Sequence, residues 1–510
     1  MSTRGLLSTP SFENVDRTKA SRETPFATIV SFCFPLTLRS LPGIRFLHTK
    51  PALDNPDSSA SFGASSSISN MPTPSVTRRS FLSRSAAGLA GAALVTGFPH
   101  IVNAQASKAI RIGLVGCGGR GSGAVVDAMK ADPAVQLVAM GDIAADRLDT
   151  ALNNLSAKYA DRVKVDANKF IGLNAIDQVL ATDIDIVFLT TPPGFRPGHL
   201  HKAINAGKHV FCEKPLGVDA PSIRHALEAV QKAKEKNLAI QGGFCWRANF
   251  AERATWKKLH EGAIGDIKTY YGTYLTNTPW VHPRQAGWTD LEYQLRNWMY
   301  FTWLSGDMIV EQTVHSVDKM SWTFKDVPPV KCVSIGGRQQ RIEPEYGQIY
   351  DHFAVMYEWA DGKRGFIFSR QQAGCSNENN DYITGANGFA NVSGFRPLHA
   401  IQTADGQQWS YEKQGGPGDT PGEKNEMYVQ EHKELIESIR AGKPVNMGEQ
   451  LAHSSMLAIM GRMSAYTGRT VEWEEAVKSN EVWAPQVPLD WNMKLTAPEV
   501  PMPGRYKLPA

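Results

Sequence analysis

Gly116-Cys117-Gly118-Gly119-Arg120-Gly121 directly follows the apolar run Ala109–Val115 and has the spacing G-x-G-x-x-G. In that spacing the first glycine allows a tight turn, the second lets the backbone approach a pyrophosphate, and the third lets a helix lie close to a strand. The phosphates then meet free N–H groups at a helix N-terminus. A helix-like stretch, Ser122–Ala131, and a second apolar run, Val135–Met140, come next. Asp142 lies about 20 residues past the last glycine, where a dinucleotide fingerprint places an acid. Its carboxylate can accept hydrogen bonds from an adenosine ribose and repels a 2′-phosphate, which favours NAD over NADP. Glycine turns are common, so the loop alone says little. The strand before it, the helix after it and the timed acid give it meaning.

Such a loop works only if strands and helices alternate around it, and they do. Ile184–Leu189, Lys208–Cys212 and Leu238–Gln241 read as buried strands, while Ala144–Tyr159, Pro197–Ala206 and Ala220–Lys236 read as helices. This alternation predicts a Rossmann-type, doubly wound parallel sheet over residues 107–243. Ligands bind at the carboxyl ends of its strands. Thr190, Thr191 and Pro192 lie at one such end, Glu213 and Lys214 at another. Trp246 and Arg247 follow the sixth strand, where a cleft to the next domain should open.

From Lys268 the period changes. Lys268–Tyr274, Val330–Gly336, His352–Trp359, Gly365–Arg370, Asp381–Thr384 and Ala390–Val392 read as strands. Tyr428–Ala441 and Gly448–Thr467 read as helices. Residues 244–483 are therefore expected to form an α+β domain with a large, mostly antiparallel sheet and helices on one face. Residues 484–510 hold six prolines and are expected to wrap over a neighbouring surface as an extended tail.

The chain has 510 residues, 42% apolar and 20% charged, as suits a globular enzyme. Its net charge of +4 gives no reason to expect a nucleic acid partner. None of its six cysteines forms a C-x-x-C, and no His/Cys cluster has metal-binding spacing. Separate, buried thiols and no metal are expected. Residues 1–70 are rich in Ser, Thr and Pro and too polar to build a core. At 71–106 the order of features resembles a twin-arginine export signal. Arg78-Arg79-Ser80-Phe81-Leu82 precedes a short apolar run, Ala86–Phe98, and small-x-small sites for cleavage near Ala104 or Ala106. The expectations are a start at Met71, dealings with the twin-arginine export machinery, and a periplasmic enzyme. Free NAD is scarce outside the cytoplasm, which favours a tightly bound cofactor.

Four blocks together resemble the glucose-fructose oxidoreductase / inositol dehydrogenase (Gfo/Idh/MocA) family. Ala206-Gly207-Lys208-His209-Val210-Phe211-Cys212-Glu213-Lys214-Pro215 is similar to that family's A-G-K-H-V-x-x-E-K-P. Gly262–Ile267, Ser305–Asp318 and Glu431–Asn446 resemble three later blocks. The resemblance covers about residues 108–470 and implies an NAD(P)-dependent sugar or polyol oxidoreductase that forms a homodimer or homotetramer. It places Lys214 between nicotinamide and substrate, hydrogen-bonded to the reacting hydroxyl. It makes His315 the general base, a role suited to an imidazole, although a core histidine is the alternative. Glu311 stands where the family has aspartate. If the segment is helical, Glu311 shares a face with His315 and either orients it or binds a substrate hydroxyl. Asp318, read mainly as a helix support, joins Trp246 and Arg247 as a substrate candidate. Trp280, His282, Trp288, Arg296, Asn297, Trp298 and Trp303 suit sugar binding, but a core or dimer interface is the reading placed first. A redox-neutral, NAD-dependent glycosidase or lyase acting through a 3-keto sugar, and a non-catalytic sugar sensor, are the rival functions.

Overall fold

Six strands form the first sheet: β1 (Ile110–Val115), β2 (Val135–Asp142), β3 (Lys169–Ile171), β4 (Ile186–Leu189), β5 (His209–Cys212) and β6 (Ile240–Gly242). They are all parallel, in the order β3-β2-β1-β4-β5-β6. The molecule is described by a computed structural model over residues 108–413 and 421–509; residues 71–106, where an export signal is expected, Cys33 and the loop expected at Gly415–Gly418 lie outside the described residues. Strand order reverses at β1 and β4, so a crevice opens at their carboxyl ends. The central strands are continuous apolar runs because helices cover both faces; all four residues of β4 are buried. The connecting helices are α1 (Gly119–Ala131), α2 (Ala145–Tyr159), α3 (Ala175–Leu180), α4 (Arg196–Asn205) and α5 (Ala220–Glu235). In α2 the buried residues are Leu148, Ala151 and Leu155, one stripe at helical spacing. Strand β3 lacked a sequence signal because it is a short edge strand with no buried residue.

Helix α6 (Phe250–His260) leads into β7 (Ile267–Thr276) of the second sheet. Four short helices follow: α7 (Asp290–Arg296), α8 (Thr302–Ser305), α9 (Met308–Glu311) and α10 (Val314–Thr323). The remaining strands are β8 (Lys331–Gly337), β9 (His352–Glu358), β10 (Arg364–Gln371), β11 (Asn380–Gly385), β12 (Gly388–Ser393), β13 (Leu398–Thr403), β14 (Gln408–Ser410) and β15 (Val471–Glu472). Their order is β14-β13-β12-β11-β7-β10-β9-β8-β15, antiparallel except for the parallel pair β7–β10. Strand β9 alternates half-buried and buried residues, the mark of a sheet covered on one face. The covering elements are α10 and α12 (Gly448–Thr467), a helix buried along nearly its whole length. Lys319 of α10 pairs with Asp381 of β11, both side chains wholly buried, and Tyr270 donates its hydroxyl hydrogen to the same carboxylate.

The chain crosses between the two sheets more than once. Leu435 and Ile436 of α11 (Met427–Arg440) bury into the core of the first sheet, and Asn446 pairs with Ile240 of β6. A boundary at residue 243 therefore describes only the first crossing. In the tail, residues 491–497 alternate half-buried and exposed, and Trp491, Met493, Leu495 and Ala497 pack against Leu291, Leu295 and Trp303. The tail covers its own chain.

Removing one partner of a fully buried ion pair strands the other charge, at a cost of about 3–5 kcal/mol. Lys319→Met should lower the free energy of unfolding by that amount, read as a lower urea midpoint at unchanged slope. A midpoint within experimental error of the parent would show that the Lys319–Asp381 pair does not hold α10 to the sheet.

Candidate active site

The glycine loop sits at the carboxyl end of β1, and its geometry fits a dinucleotide. Gly116 has φ +96°, and a Cβ there would lie 2.8 Å from the backbone of Thr190. A Cβ on Gly121 would lie 2.1 Å from the carbonyl oxygen of Gly116. A Cβ on Gly118, by contrast, would meet nothing within 4 Å, because that backbone faces a cavity. Helix α1 has no side-chain cap and no acid in its first turn, which leaves its first N–H groups for an anion. The cavity has a volume of about 920 Å3 and is lined by all six residues of the loop, by Asp142, and by Thr190, Thr191 and Pro192.

The loop is fastened from three sides. Asp142 accepts the Cys117 N–H at 2.6 Å and the Ala144 N–H at 2.9 Å. Burial pushes its carboxyl above the ordinary value, against those hydrogen bonds and the Arg147 charge. Thr190 donates its hydroxyl hydrogen to the Gly116 carbonyl at 2.7 Å. Thr191 pairs with His199 at 3.2 Å, and burial lowers the His199 pKa to about 4, so that ring is neutral. Arg120 and Glu213 are both cofactor-binding candidates from the sequence, and Arg120 lines the cavity. They form an ion pair with each other, and Arg120 also reaches Glu431 of α11 at 3.2 Å and lies 4.7 Å over the Tyr428 ring. Against the cost of burial, Arg120, Lys214 and Arg196 hold Glu213 below its ordinary value. Burial and repulsion from Glu213 push Glu431 well above it. Arg120 is a hub that ties the loop to β5 and to α11.

Lys214, Glu311 and His315 come together where the two sheets meet. The Lys214 ammonium donates to the Glu311 carbonyl at 2.7 Å and to its carboxylate at 3.2 Å. Those side chains are only 12% and 9% exposed. The other Glu311 oxygen, Oε2, is buried without a partner, and so is Nδ1 of His315. Burial, then the charges of Lys214, Lys319 and Arg120, hold the His315 pKa well below 6.5. The imidazole is therefore a neutral base. Glu311 and His315 do not share one helix: the chain breaks at Gln312 and Thr313, between α9 and α10. Glu311 consequently positions Lys214 and makes no bond to His315. Asp307 caps α9 through the Met308 N–H at 2.5 Å, with φ +80°, and burial pushes its pKa up to about 6.

The three further substrate candidates separate. Arg247 grips Asp318 at 2.9 Å and Asp326 at 2.6 Å, and Asp318 also accepts from Ser454 at 2.8 Å. Arg247 and Asp318 are thus a structural clamp between the end of β6 and α10. Trp246 is half-buried, with the Lys319 ammonium 4.9 Å from its ring. The aromatic stretch corrects the core reading: Trp280, His282, Trp288, Arg296 and Trp298 line the cavity, while Asn297 and Trp303 are buried. Arg147, Phe195 and His199 also line it and carried no sequence signal. Among the described residues Cys117, Cys212, Cys245, Cys332 and Cys375 are free. His201, His225 and Glu228 gather their ligand atoms within 4.8 Å across α4 and α5, a grouping that spacing along the chain does not reveal.

Residues 110–244 match the family model for the Gfo/Idh/MocA oxidoreductases, described as an oxidoreductase family with an NAD-binding Rossmann fold. The match spans the whole first sheet and its glycine loop. The chain is 25% identical over 298 residues to an inositol 2-dehydrogenase of Rhizobium meliloti, covering 58% of this chain and 80% of that one. It is 32% identical over 258 residues to one of Serratia proteamaculans, covering 50% and 65%. A solved aldose-aldose oxidoreductase from Caulobacter crescentus, complexed with glycerol, superposes with a TM-score of 0.57 at 17% identity, over 72% of this chain and all of that one. At that identity the likeness is one of fold. The chain is an NAD(P)-dependent oxidoreductase, and its parallel sheet with a second, mostly antiparallel sheet is the architecture its sequence implied.

Gly121→Val places a branched side chain against the Gly116 carbonyl and should abolish the heat of NAD binding in calorimetry while the far-ultraviolet circular dichroism stays unchanged. Undiminished binding would show that the cradle is not where the dinucleotide lies.

Proposed function

We propose that the enzyme oxidises a secondary hydroxyl of a sugar or polyol, with NAD as the acceptor. The observation that carries this reading is an ammonium pinned near a neutral, half-buried imidazole, just past the end of a strand of the dinucleotide-binding sheet. An ammonium has three N–H donors. Glu311 takes two from Lys214, and the third is left for the oxygen of the reacting hydroxyl. His315 takes the hydroxyl proton, since it is uncharged at neutral pH. The unpartnered Glu311 carboxylate oxygen can accept from a neighbouring substrate hydroxyl. Bound nicotinamide supplies the hydride acceptor. The negative Asp142 carboxylate at the end of β2 favours NAD over NADP.

Two further readings rest on other parts of the chain. Residues 71–106 carry the features of a twin-arginine signal, so we place the mature enzyme in the periplasm. The outer face of the second sheet exposes Ile335, Val333, Phe368, Tyr271 and Phe389, and Tyr271 stacks edge-on with Phe368 at 5.1 Å. A contiguous apolar patch of this kind marks an interaction surface. A second copy of the chain is the proposed occupant, giving a homodimer or homotetramer. Phe368→Glu should reduce the mass measured by light scattering to that of a monomer; an unchanged mass would move the interface elsewhere.

General acid–base catalysis contributes about 10²–10⁴-fold. His315→Ala and Lys214→Ala should each lower kcat by that order while NAD still binds. Net formation of NADH at 340 nm with a polyol is expected; release of an aglycone without net NADH would instead favour transient oxidation. Protonation removes the His315 base only below its depressed pKa, so the acid limb of kcat/KM should lie below pH 6.5. A limb at or above pH 6.5 that disappears in His315→Ala would contradict the assignment.

A further inference from the structure

The cavity has a floor and a roof of different origin. The floor is the first sheet's crevice: the glycine loop, Asp142, Arg147, Leu173 and Ile176. The roof is Trp280, His282, Trp288, Arg296 and Trp298, from the connection that leaves the second sheet after β7. Lys214, Glu311 and His315 are not among the lining residues. With a pyrophosphate on the loop and a ribose at Asp142, the cavity receives the adenosine half of a dinucleotide.

Three anchors hold the roof shut. Arg296 forms two parallel bonds to Asp146 of α2, at 3.0 and 3.1 Å, and Arg147 donates to the Arg296 carbonyl at 3.3 Å. The buried Asn297 side chain accepts the His282 N–H at 2.8 Å and donates to the His282 carbonyl at 2.9 Å, fixing the turn behind Trp280. The C-terminal tail lies across α7, where Gln294 donates to the Leu495 carbonyl at 2.7 Å beside the packed Trp491. Inside, Trp280 lies 4.8 Å from the His282 ring and 6.3 Å, edge-on, from Trp298. A flat purine offers a face to every one of these rings, and base–aromatic stacking tolerates any base.

We propose that residues 280–298 are a second-domain cap on the adenosine of the cofactor, latched by Arg296 to Asp146 and strapped by the C-terminal tail, so that the dinucleotide is a resident group and not a freely exchanging co-substrate. The inference rests on the NAD-binding reading above and adds where the affinity comes from. Arg296, Asp146 and Trp280 act on retention of the adenosine; Trp491 acts through the strap without lining the cavity.

The test is the rate at which bound NADH leaves the purified, NADH-loaded chain when chased with excess NAD, followed by NADH fluorescence. Asp146→Asn, Trp280→Ala and Trp491→Ala are compared with the parent. Asp146 is 65% exposed and Trp280 is 42% exposed, so neither change empties a core. The parent should release NADH slowly, and each variant at least tenfold faster, with unchanged melting temperatures for the first two. Equal release rates in the parent, Asp146→Asn and Trp280→Ala would overturn the cap. Loss of release control in Asp146→Asn and Trp280→Ala but not in Trp491→Ala would overturn the strap alone. Failure of the parent to bind NADH at all would instead overturn the underlying NAD reading.

Discussion

One ammonium joins the two halves of the molecule. Lys214 leaves the end of a parallel strand and donates to a carbonyl and a carboxylate of Glu311, 97 residues further on. A nearly buried pair of this sort is tolerated only where good hydrogen bonds offset desolvation. Here the offset is incomplete: Glu311 Oε2 and His315 Nδ1 stay without partners. Leaving a buried polar group unpaired costs about 1–3 kcal/mol. Groups left this way at the end of a cofactor crevice are groups that a hydroxylated ligand would satisfy, and an unmet hydrogen-bonding requirement becomes an affinity for substrate.

The dinucleotide cradle depends on its own remote support. Arg120 stands inside the glycine motif, and its guanidinium is paired with Glu213 and Glu431. A charge paired there holds the loop's shape, while a pyrophosphate would meet the backbone N–H groups and the helix dipole. This explains why a helix as late as α11 returns to the first sheet: without Glu431 and Tyr428 the guanidinium would be half-supported. Asp142 has a similar double duty, since its carboxylate fixes the Cys117 N–H and presents remaining lone pairs to the crevice.

Much of this was legible along the chain, for reasons that are local. Buried parallel strands are continuous apolar runs, and α2 and α5 have clean helical stripes, so the first sheet was read almost strand by strand. The glycine loop and Asp142 carry their spacing within one βαβ unit. What escaped depends on distance. The break at Gln312 and Thr313 follows from how α9 and α10 fit the second sheet, and that moved Glu311 from His315 to Lys214. Arg247 looked free to bind a sugar because its clamp on Asp318, itself read mainly as a helix support, spans 71 residues. Trp280 and Trp298 have the composition of a core, and only the path of the chain after β7 places them over the cavity. Strands β13 and β14 are short and flanked by turn residues, and β3 has no buried side chain, so periodicity had little to register.

The central claim is that hydride passes from a substrate carbon to nicotinamide beside Lys214 and His315. Incubation with a polyol deuterated at the oxidised carbon, followed by mass spectrometry of the recovered cofactor, tests it most directly. Deuterium should appear in the nicotinamide ring of NADH, and transfer should fall with His315→Ala. Consumption of the labelled polyol with no deuterium in the cofactor would contradict the account.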